Sequence, residues 1–228
     1  EAETIRERID AVQAAIGAAL ARCGRQDGGV CLVAVTKTRP VETVLEVIGC
    51  GITDIGENRV QELAAKAPLV AGQAAFHLIG HLQRNKVKAA LAHAAWIQSV
   101  DSLRLADEID RQARAAGKSI DVLVEINTSG EAAKTGCPPE LASELCGRVA
   151  ASPAMRLRGL MTVGPLAAGE SGARRSFAML REMGRGVTPF DGRCELSMGM
   201  SGDYTWAVEE GATMVRIGSA ILGERGGR

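Results

Sequence analysis

The sequence predicts one (β/α)8 barrel, a TIM-type fold with an extra N-terminal helix, spanning residues 1–228 as a single domain. Three observations predict it. Eight short apolar runs alternate with amphipathic stretches; polar residues and glycines gather where the runs end; and no linker, low-complexity tract or charge block divides the chain. A doubly wound open sheet is the alternative, and the absence of a GxGxxG turn after the first run weighs against it. A length of 228 residues suits one large barrel, and 46% hydrophobic with 3% aromatic residues predicts an aliphatic core.

The opening helix is expected over Thr4–Cys23, where Ile5, Ile9, Val12, Ile16 and Leu20 share one face. Leu32, Val33, Ala34 and Val35 follow, bounded by Gly28-Gly29 and Pro40, and read as a strand over Val30–Thr36 buried on both faces. Further strands are expected at Thr53–Gly56, Ala75–Ile79, Trp96–Ser99, Asp121–Ile126, Arg158–Met161, Cys194–Leu196 and Met214–Ile217. Helices should fill the intervals, over Val41–Gly49, Arg59–Val70, Gln83–Ala92, Ser102–Ala116, Pro139–Ala151, Ser171–Arg185 and Tyr204–Glu210. The one after Asp101 shows the pattern, with Leu105, Ile109, Ala113 and Ala116 on one side.

Bulk properties exclude several functions. Basic and acidic residues number 27 each and are dispersed, so no net field recruits nucleic acid or an anionic membrane. No apolar run approaches the roughly 20 residues of a membrane span. The charged segment Glu1 to Arg8 does not resemble a signal peptide. The six cysteines (Cys23, Cys31, Cys50, Cys137, Cys146 and Cys194) form no CxxC pair, which points to free thiols in a reducing cytoplasm.

Barrels of this kind gather their chemistry at the carboxyl ends of the strands. There the sequence offers Lys37, then Gly56 to Glu62, His77 to Lys86, Asn127 to Glu131 with Lys134 nearby, Met161, Ser197 to Asp203, and Arg216 with Gly218-Ser219. Lys37 either turns into solvent or stays partly desolvated at the barrel mouth, where a lowered pKa would let its amine attack a carbonyl. Ser201-Gly202 and Gly218-Ser219 precede helices, where unpaired N–H groups suit a phosphate; plain capping by Ser201 and a turn at Gly218 explain them equally well. A lysine at the first strand with a phosphate cradle at the last two is the arrangement expected for pyridoxal 5'-phosphate.

The runs LVAVTKTRP, GENRVQEL, FHLIGHLQRNK, INTSGEAAKTG, LRGLMTVGP, LSMGMSGDY and MVRIGSAILGER, in this order from about Val30 to Arg225, strongly resemble the pyridoxal phosphate homeostasis protein family. These are small proteins similar to the N-terminal barrel of alanine racemase, a fold-type III arrangement. The resemblance implies that Lys37 is the Schiff-base lysine carrying the cofactor covalently. It places Asn58 and His77 on the cofactor pocket, and Ser201, Gly218 and Ser219 on the phosphate with Met200 beside them. Arg216 would face the pyridine nitrogen. Arg59 and His81 depart from residues common in the family, and Arg59 could alter one wall of the site.

Each residue has a plainer reading. Asn58 could cap the next helix with Gln61, His77 could be a hydrogen-bonded core residue, and Met161, Met198 and Met200 could be packing. Lys134 could be a loop charge or a second amine. His77 and His81 are four apart, but a strand-to-loop change between them spoils a shared metal face, so no metal is expected. The resemblance implies an intracellular binding protein that governs cofactor supply, with pyridoxal phosphate-dependent apoenzymes as partners and no established reaction. The alternative is a fold-type III amino acid racemase. That role needs a second base opposite Lys37, and the sole tyrosine, Tyr204, is poorly placed after the phosphate loop. Without the dimer-building domain of the racemases, a monomer is expected.

Overall fold

Runs of three to seven residues, too short for buried helices, form eight parallel strands that close into one barrel in chain order. The computed structural model describes residues 3–26, 29–131, 135–165, 168–186 and 193–224. The strands are β1 (Cys31–Val35), β2 (Asp54–Glu57), β3 (Ala75–Leu78), β4 (Trp96–Val100), β5 (Ile120–Glu125), β6 (Met155–Met161), β7 (Glu195–Ser197) and β8 (Met214–Ile217). Around them lie α1 (Ile5–Arg22), α2 (Val41–Gly49), α3 (Val60–Lys66), α4 (Val87–His93), α5 (Leu103–Ala115), α6 (Ala142–Ala150), α7 (Gly169–Gly186), α8 (Tyr204–Glu209) and α9 (Ser219–Leu222). The expected (β/α)8 barrel is therefore the fold observed.

Alternation along β1 separates two packing layers. Leu32 and Ala34 join the core between barrel and helices. Val33 and Val35 turn into the lumen, where Gly56 leaves room for them; a Cβ there would lie 3.1 Å from Val33 Cγ1 and 3.2 Å from Ile79 Cδ1. The barrel closes through β1 and β8, with Cys31 opposite Met214 and Ala34 opposite Ile217. α1 covers that seam. It begins in a capping box between Thr4 and Glu7 and ends with Arg22 donating to Glu209 Oε1 at 2.6 Å, on α8. Just beyond it, Arg25 donates to the carbonyls of Val208 and Ala212 at 2.8 and 2.9 Å.

Several boundaries differ from expectation: the helices expected from Gln83 and Pro139 open as 3-10 turns over Arg84–Lys86 and Pro139–Leu141, and two further differences have a local cause. β6 starts at Met155 rather than Arg158, because Arg156 sits on the outward edge and bonds Asp121 of β5 at 2.6 Å, so a charge interrupts the apolar run without interrupting the strand. The helix expected over Arg59–Val70 ends at Lys66 and tightens into a 3-10 turn over Ala67–Val70, since Pro68 lacks the N–H that an α-helix would require. Within β6 a bulge shifts the register: Val122 pairs with Leu157, but Leu123 pairs with Gly159, leaving Arg158 as the extra residue.

Candidate functional site

A cavity of about 570 Å³ opens at the carboxyl ends of the strands. Seven of the eight residues expected at the site line it: Lys37, Asn58, Met200, Ser201, Arg216, Gly218 and Ser219. His77 does not.

Lys37 follows β1 and is half-buried, held between two anchored neighbours. On one side Thr36 is fully buried; its hydroxyl donates to Glu57 Oε1 at 2.6 Å and its carbonyl accepts from Lys66 Nζ at 2.9 Å. On the other, Thr38 adopts φ +65°, a conformation that β-branched residues avoid, and its N–H donates to Glu62 Oε2 at 2.6 Å. Lys66 ties the two anchors together, reaching Glu57 Oε1 at 2.7 Å and Glu62 Oε2 at 3.1 Å. Glu57 is buried and its Oε2 has no hydrogen-bond partner among the described residues. Burial pushes its carboxyl upward, against the hydrogen bonds from Lys66 and Thr36 that favour the ionised form. The turn carrying Lys37 is thus set from beneath by a buried ion pair.

Asn58 stands in the wall and does not cap the next helix: the N-cap position of α3 falls on Arg59, with no side-chain cap bond. Arg59 itself is exposed and is not among the residues lining the cavity. The backbone of Asn58 is pressed against Gly80. A Cβ at Gly80 would fall on the Asn58 carbonyl oxygen and within 2.8 Å of its Cα. Gly80→Ala should therefore displace this wall and lose about 1–3 kcal/mol of stability, read as a lower urea midpoint; an unchanged midpoint would contradict the close approach.

At the opposite wall Ser201 caps a different helix from the one expected. Its Oγ accepts from the N–H groups of Gly218 and Ala220, both at 3.2 Å, which ties the loop after β7 to the loop after β8. The N-cap position of α8 belongs to Asp203, whose Oδ1 accepts from Met200 N–H at 2.6 Å and fixes Met200 on the wall. Gly218 takes the N-cap position of α9. Arg216 is buried; it donates through Nη1 to Ser197 Oγ at 2.6 Å and through Nη2 to the Thr162 carbonyl at 2.8 Å. Burial draws its pKa down to about 10, opposed by the charges of Glu125 and Asp203, so the guanidinium stays cationic at pH 7.

His77 is a correction to the expected pocket. It is fully buried, stacks on Trp96 with ring centroids 5.4 Å apart, and places Nε2 2.9 Å from Asp54 Oδ1 and Nδ1 2.8 Å from Gln98 Nε2. With Asp54, Cys31 and Thr213 it lines a hollow at the amino end of the barrel. The reason is the two-residue period of a strand: the next inward position towards the cavity is Ile79, and Ile79 lines it. His81 pairs with Asp101 at 3.2 Å, and among the described residues no group of three His, Cys, Asp or Glu could hold a metal ion. Met198 and Met161 are buried. Lys134 lies outside the described residues.

The six cysteines are free thiols, and burial pushes those of Cys31, Cys137, Cys146 and Cys194 up to about 12, which keeps them protonated. No described helix is long and apolar enough to cross a membrane. Sequence reasoning places Glu57 and Glu62 at the end of the second strand without a role and misses Lys66. Its one available signal was the i,i+4 spacing of Glu62 and Lys66, which is ordinarily a surface pair.

Comparison with known proteins shows the family to which the chain belongs. The family described as "Alanine racemase, N-terminal domain" matches residues 8–226. A pyridoxal phosphate homeostasis protein of Pseudomonas aeruginosa is 40% identical, over 97% of this chain and 96% of its own. One from Escherichia coli K12 is 38% identical, over 97% of both. The solved structure of PipY from Synechococcus elongatus with PLP bound is similar at a TM-score of 0.83 and 31% identity, covering 96% of this chain and all of that one.

Proposed function

Because the chain belongs to the alanine racemase N-terminal domain family and, within it, to the pyridoxal phosphate homeostasis proteins, we propose that it binds pyridoxal 5'-phosphate at the carboxyl ends of the strands and governs supply of that cofactor. One observation carries this reading: a primary amine, a serine- and glycine-rich loop pair and a buried guanidinium line one cavity. The cavity encloses about 570 Å³, and beside Gly202, which lines it, a Cβ would meet, apart from its chain neighbours, no atom of the described residues within 4 Å.

When bound, the cofactor supplies an aldehyde that condenses with a primary amine, releasing water, and a phosphate that anchors the other end. Lys37 is the residue we assign to covalent attachment, its Nζ carried on the turn that Glu57, Glu62 and Lys66 hold. Ser201, Gly218 and Ser219 are assigned to the phosphate, the Ser201 hydroxyl keeping the two loops at a fixed separation. Asn58 and Met200 would flank the ring. Arg216 has hydrogen-bond donors and no acceptor, so against the pyridine nitrogen it would donate and keep that nitrogen unprotonated. A ring held this way is a poorer electron sink than one facing a carboxylate, which suits storage better than turnover.

Racemisation is the second reading, and it requires acid–base groups on both faces of a substrate carbon. Tyr204 belongs to α8, packs against the hydrophobic core and is not among the residues lining the cavity, although its N–H donates to the carbonyl of Met200, which is. We therefore favour a carrier without a reaction of its own, acting as a monomer in the cytoplasm, where its thiols would stay reduced. Pyridoxal phosphate-dependent apoenzymes would be the recipients.

The test is the visible absorbance of purified protein before and after borohydride, for wild type and Lys37→Ala. A yellow wild type whose chromophore borohydride fixes to Lys37, and a variant that retains none covalently, is the expected result. A wild type that takes up no added pyridoxal phosphate would overturn the binding reading. Racemisation of a single-enantiomer amino acid above the rate of free cofactor, abolished in Lys37→Ala, would overturn the carrier reading.

A further inference from the structure

The lumen contains a continuous file of hydrogen bonds running from the proposed cofactor cavity to the other end of the barrel. Arg216 Nη1 donates to Ser197 Oγ at 2.6 Å. Ser197 Oγ donates to Gln98 Oε1, also at 2.6 Å. Gln98 Nε2 meets His77 Nδ1 at 2.8 Å, and His77 Nε2 meets Asp54 Oδ1 at 2.9 Å. The five residues come from β8, β7, β4, β3 and β2. Ser197, Gln98 and His77 are wholly buried, while the Asp54 side chain is one-third exposed in the amino-end hollow.

Chemistry gives this file a single direction. A guanidinium only donates and an ionised carboxylate only accepts. Ser197 must accept from Arg216, and so passes its own hydrogen to Gln98. Gln98 then turns its oxygen to Ser197 and its nitrogen to His77, an orientation that also sets Nε2 3.0 Å from Met214 Sδ, a weak acceptor. His77 is left with its lone pair on Nδ1 and its hydrogen on Nε2, aimed at Asp54. Turning the Gln98 amide over would place a ring lone pair against the Asp54 carboxylate, unless the ring took a second proton. Removing the negative charge of Asp54 removes that bias.

We propose that Gln98 and His77 are positioning residues for Arg216, and that Asp54, at the far mouth of the barrel, sets the direction of the file and so the presentation of the guanidinium to a bound cofactor. The cofactor half of this proposal rests on the function proposed above. The file itself does not. Asp54 touches neither the cavity nor any residue lining it in the file, and its influence is relayed through His77, Gln98 and Ser197. A polar file through a barrel otherwise packed with side chains is costly unless every member is paired, and here each hands its hydrogen to the next.

The first measurement uses the protein without cofactor. Long-range ¹H–¹⁵N NMR of the imidazole rings reads the His77 tautomer, and the ¹⁵N–¹H signals of the Arg216 side chain report its hydrogen bonding. Expected are an Nε2–H tautomer in wild type and shifted Arg216 signals in both Gln98→Met and Asp54→Asn. An Nδ1–H tautomer, or Arg216 signals unmoved in both variants, would overturn the proposal. The second measurement adds pyridoxal phosphate. Asp54→Asn should bind it about threefold to tenfold more weakly, the size expected from one altered hydrogen bond, with a displaced visible absorbance maximum. Lost stability alone would not move that maximum. An unmoved maximum in a variant whose Arg216 signals shift would overturn the link to the cofactor. If wild type binds no pyridoxal phosphate, the functional reading fails while the NMR outcome still decides the file.

Discussion

Gly159→Ala is expected to yield no stably folded barrel. A Cβ at this position would fall on the carbonyl oxygen of Glu195 and within 2.6 Å of its carbonyl carbon and nitrogen. All three are backbone atoms of the neighbouring strand, and Gly159 pairs with Glu195 in the β6–β7 ladder. A flexible side chain could swing aside; a strand cannot, except by opening the ladder. The position also follows the Arg158 bulge, so the register shift next to it leaves no simple adjustment. Overpacking of ordinary cores costs about 1–3 kcal/mol. A clash confined to backbone in a closed barrel should exceed that and consume much of the roughly 5–15 kcal/mol that holds a domain together. Soluble yield and a urea transition followed by circular dichroism would show it. A cooperative transition at the wild-type midpoint would mean that β6 and β7 are farther apart than described.

Lys66→Met should destabilise the protein by about 3–5 kcal/mol, the cost of leaving one member of a buried pair without its partner. The loss falls on Glu57, which is wholly buried and would keep only the Thr36 hydroxyl. Adding Glu57→Gln should return part of the stability, because the uncompensated charge is then gone. The pH dependence has a definite sign. A carboxyl raised in the native state binds its proton more tightly folded than unfolded, so stability falls as pH rises from the ordinary carboxylate range through the raised native value. Without Lys66 that value rises further, and the deficit of Lys66→Met should shrink as pH is lowered from 7 towards about 4.5. A deficit below about 1 kcal/mol at pH 7, typical of an exposed ion pair, would refute the role given to the buried bridge. Because Lys66 also anchors the turns at Thr36 and Thr38, the variant should hold Lys37 more loosely.

How much of this was legible in the sequence depends on whether a residue's role is local. The β1 strand was legible because its apolar run is uninterrupted, and Lys37 because a lysine at the end of such a run calls for explanation. Ser201 and Gly218 were legible as loop residues next to helices, but not as partners of each other, since a hydroxyl bridging two loops leaves no mark on either one alone. His77 was assigned to the wrong end of the lumen. Its motif says that it belongs to β3, but not how far along the barrel axis its inward face falls, and one step of two residues moves a side chain from one mouth towards the other. The start of β6 is hidden by Arg156 and Arg158, and the end of α3 by an apolar pattern that runs on through Pro68 into Leu69 and Val70. Glu57 and Lys66 look like surface charges because composition cannot distinguish a solvated ion pair from a buried one.

The seam between β1 and β8, with α1 laid across it, has a consequence for synthesis on the ribosome. The first strand made must pair with the last, and Arg22 and Arg25 wait for Glu209, Val208 and Ala212. Until residues 214–217 emerge, β1 and β7 each present a row of unsatisfied backbone groups, the kind of edge that recruits strands from other chains. Waiting for the distant partner adds little entropy, since closure cost rises only with the logarithm of loop length. The hazard is therefore one of time rather than energy. Nascent chains stalled before β8 should be the species most dependent on chaperones, and release of the last strand should end that dependence.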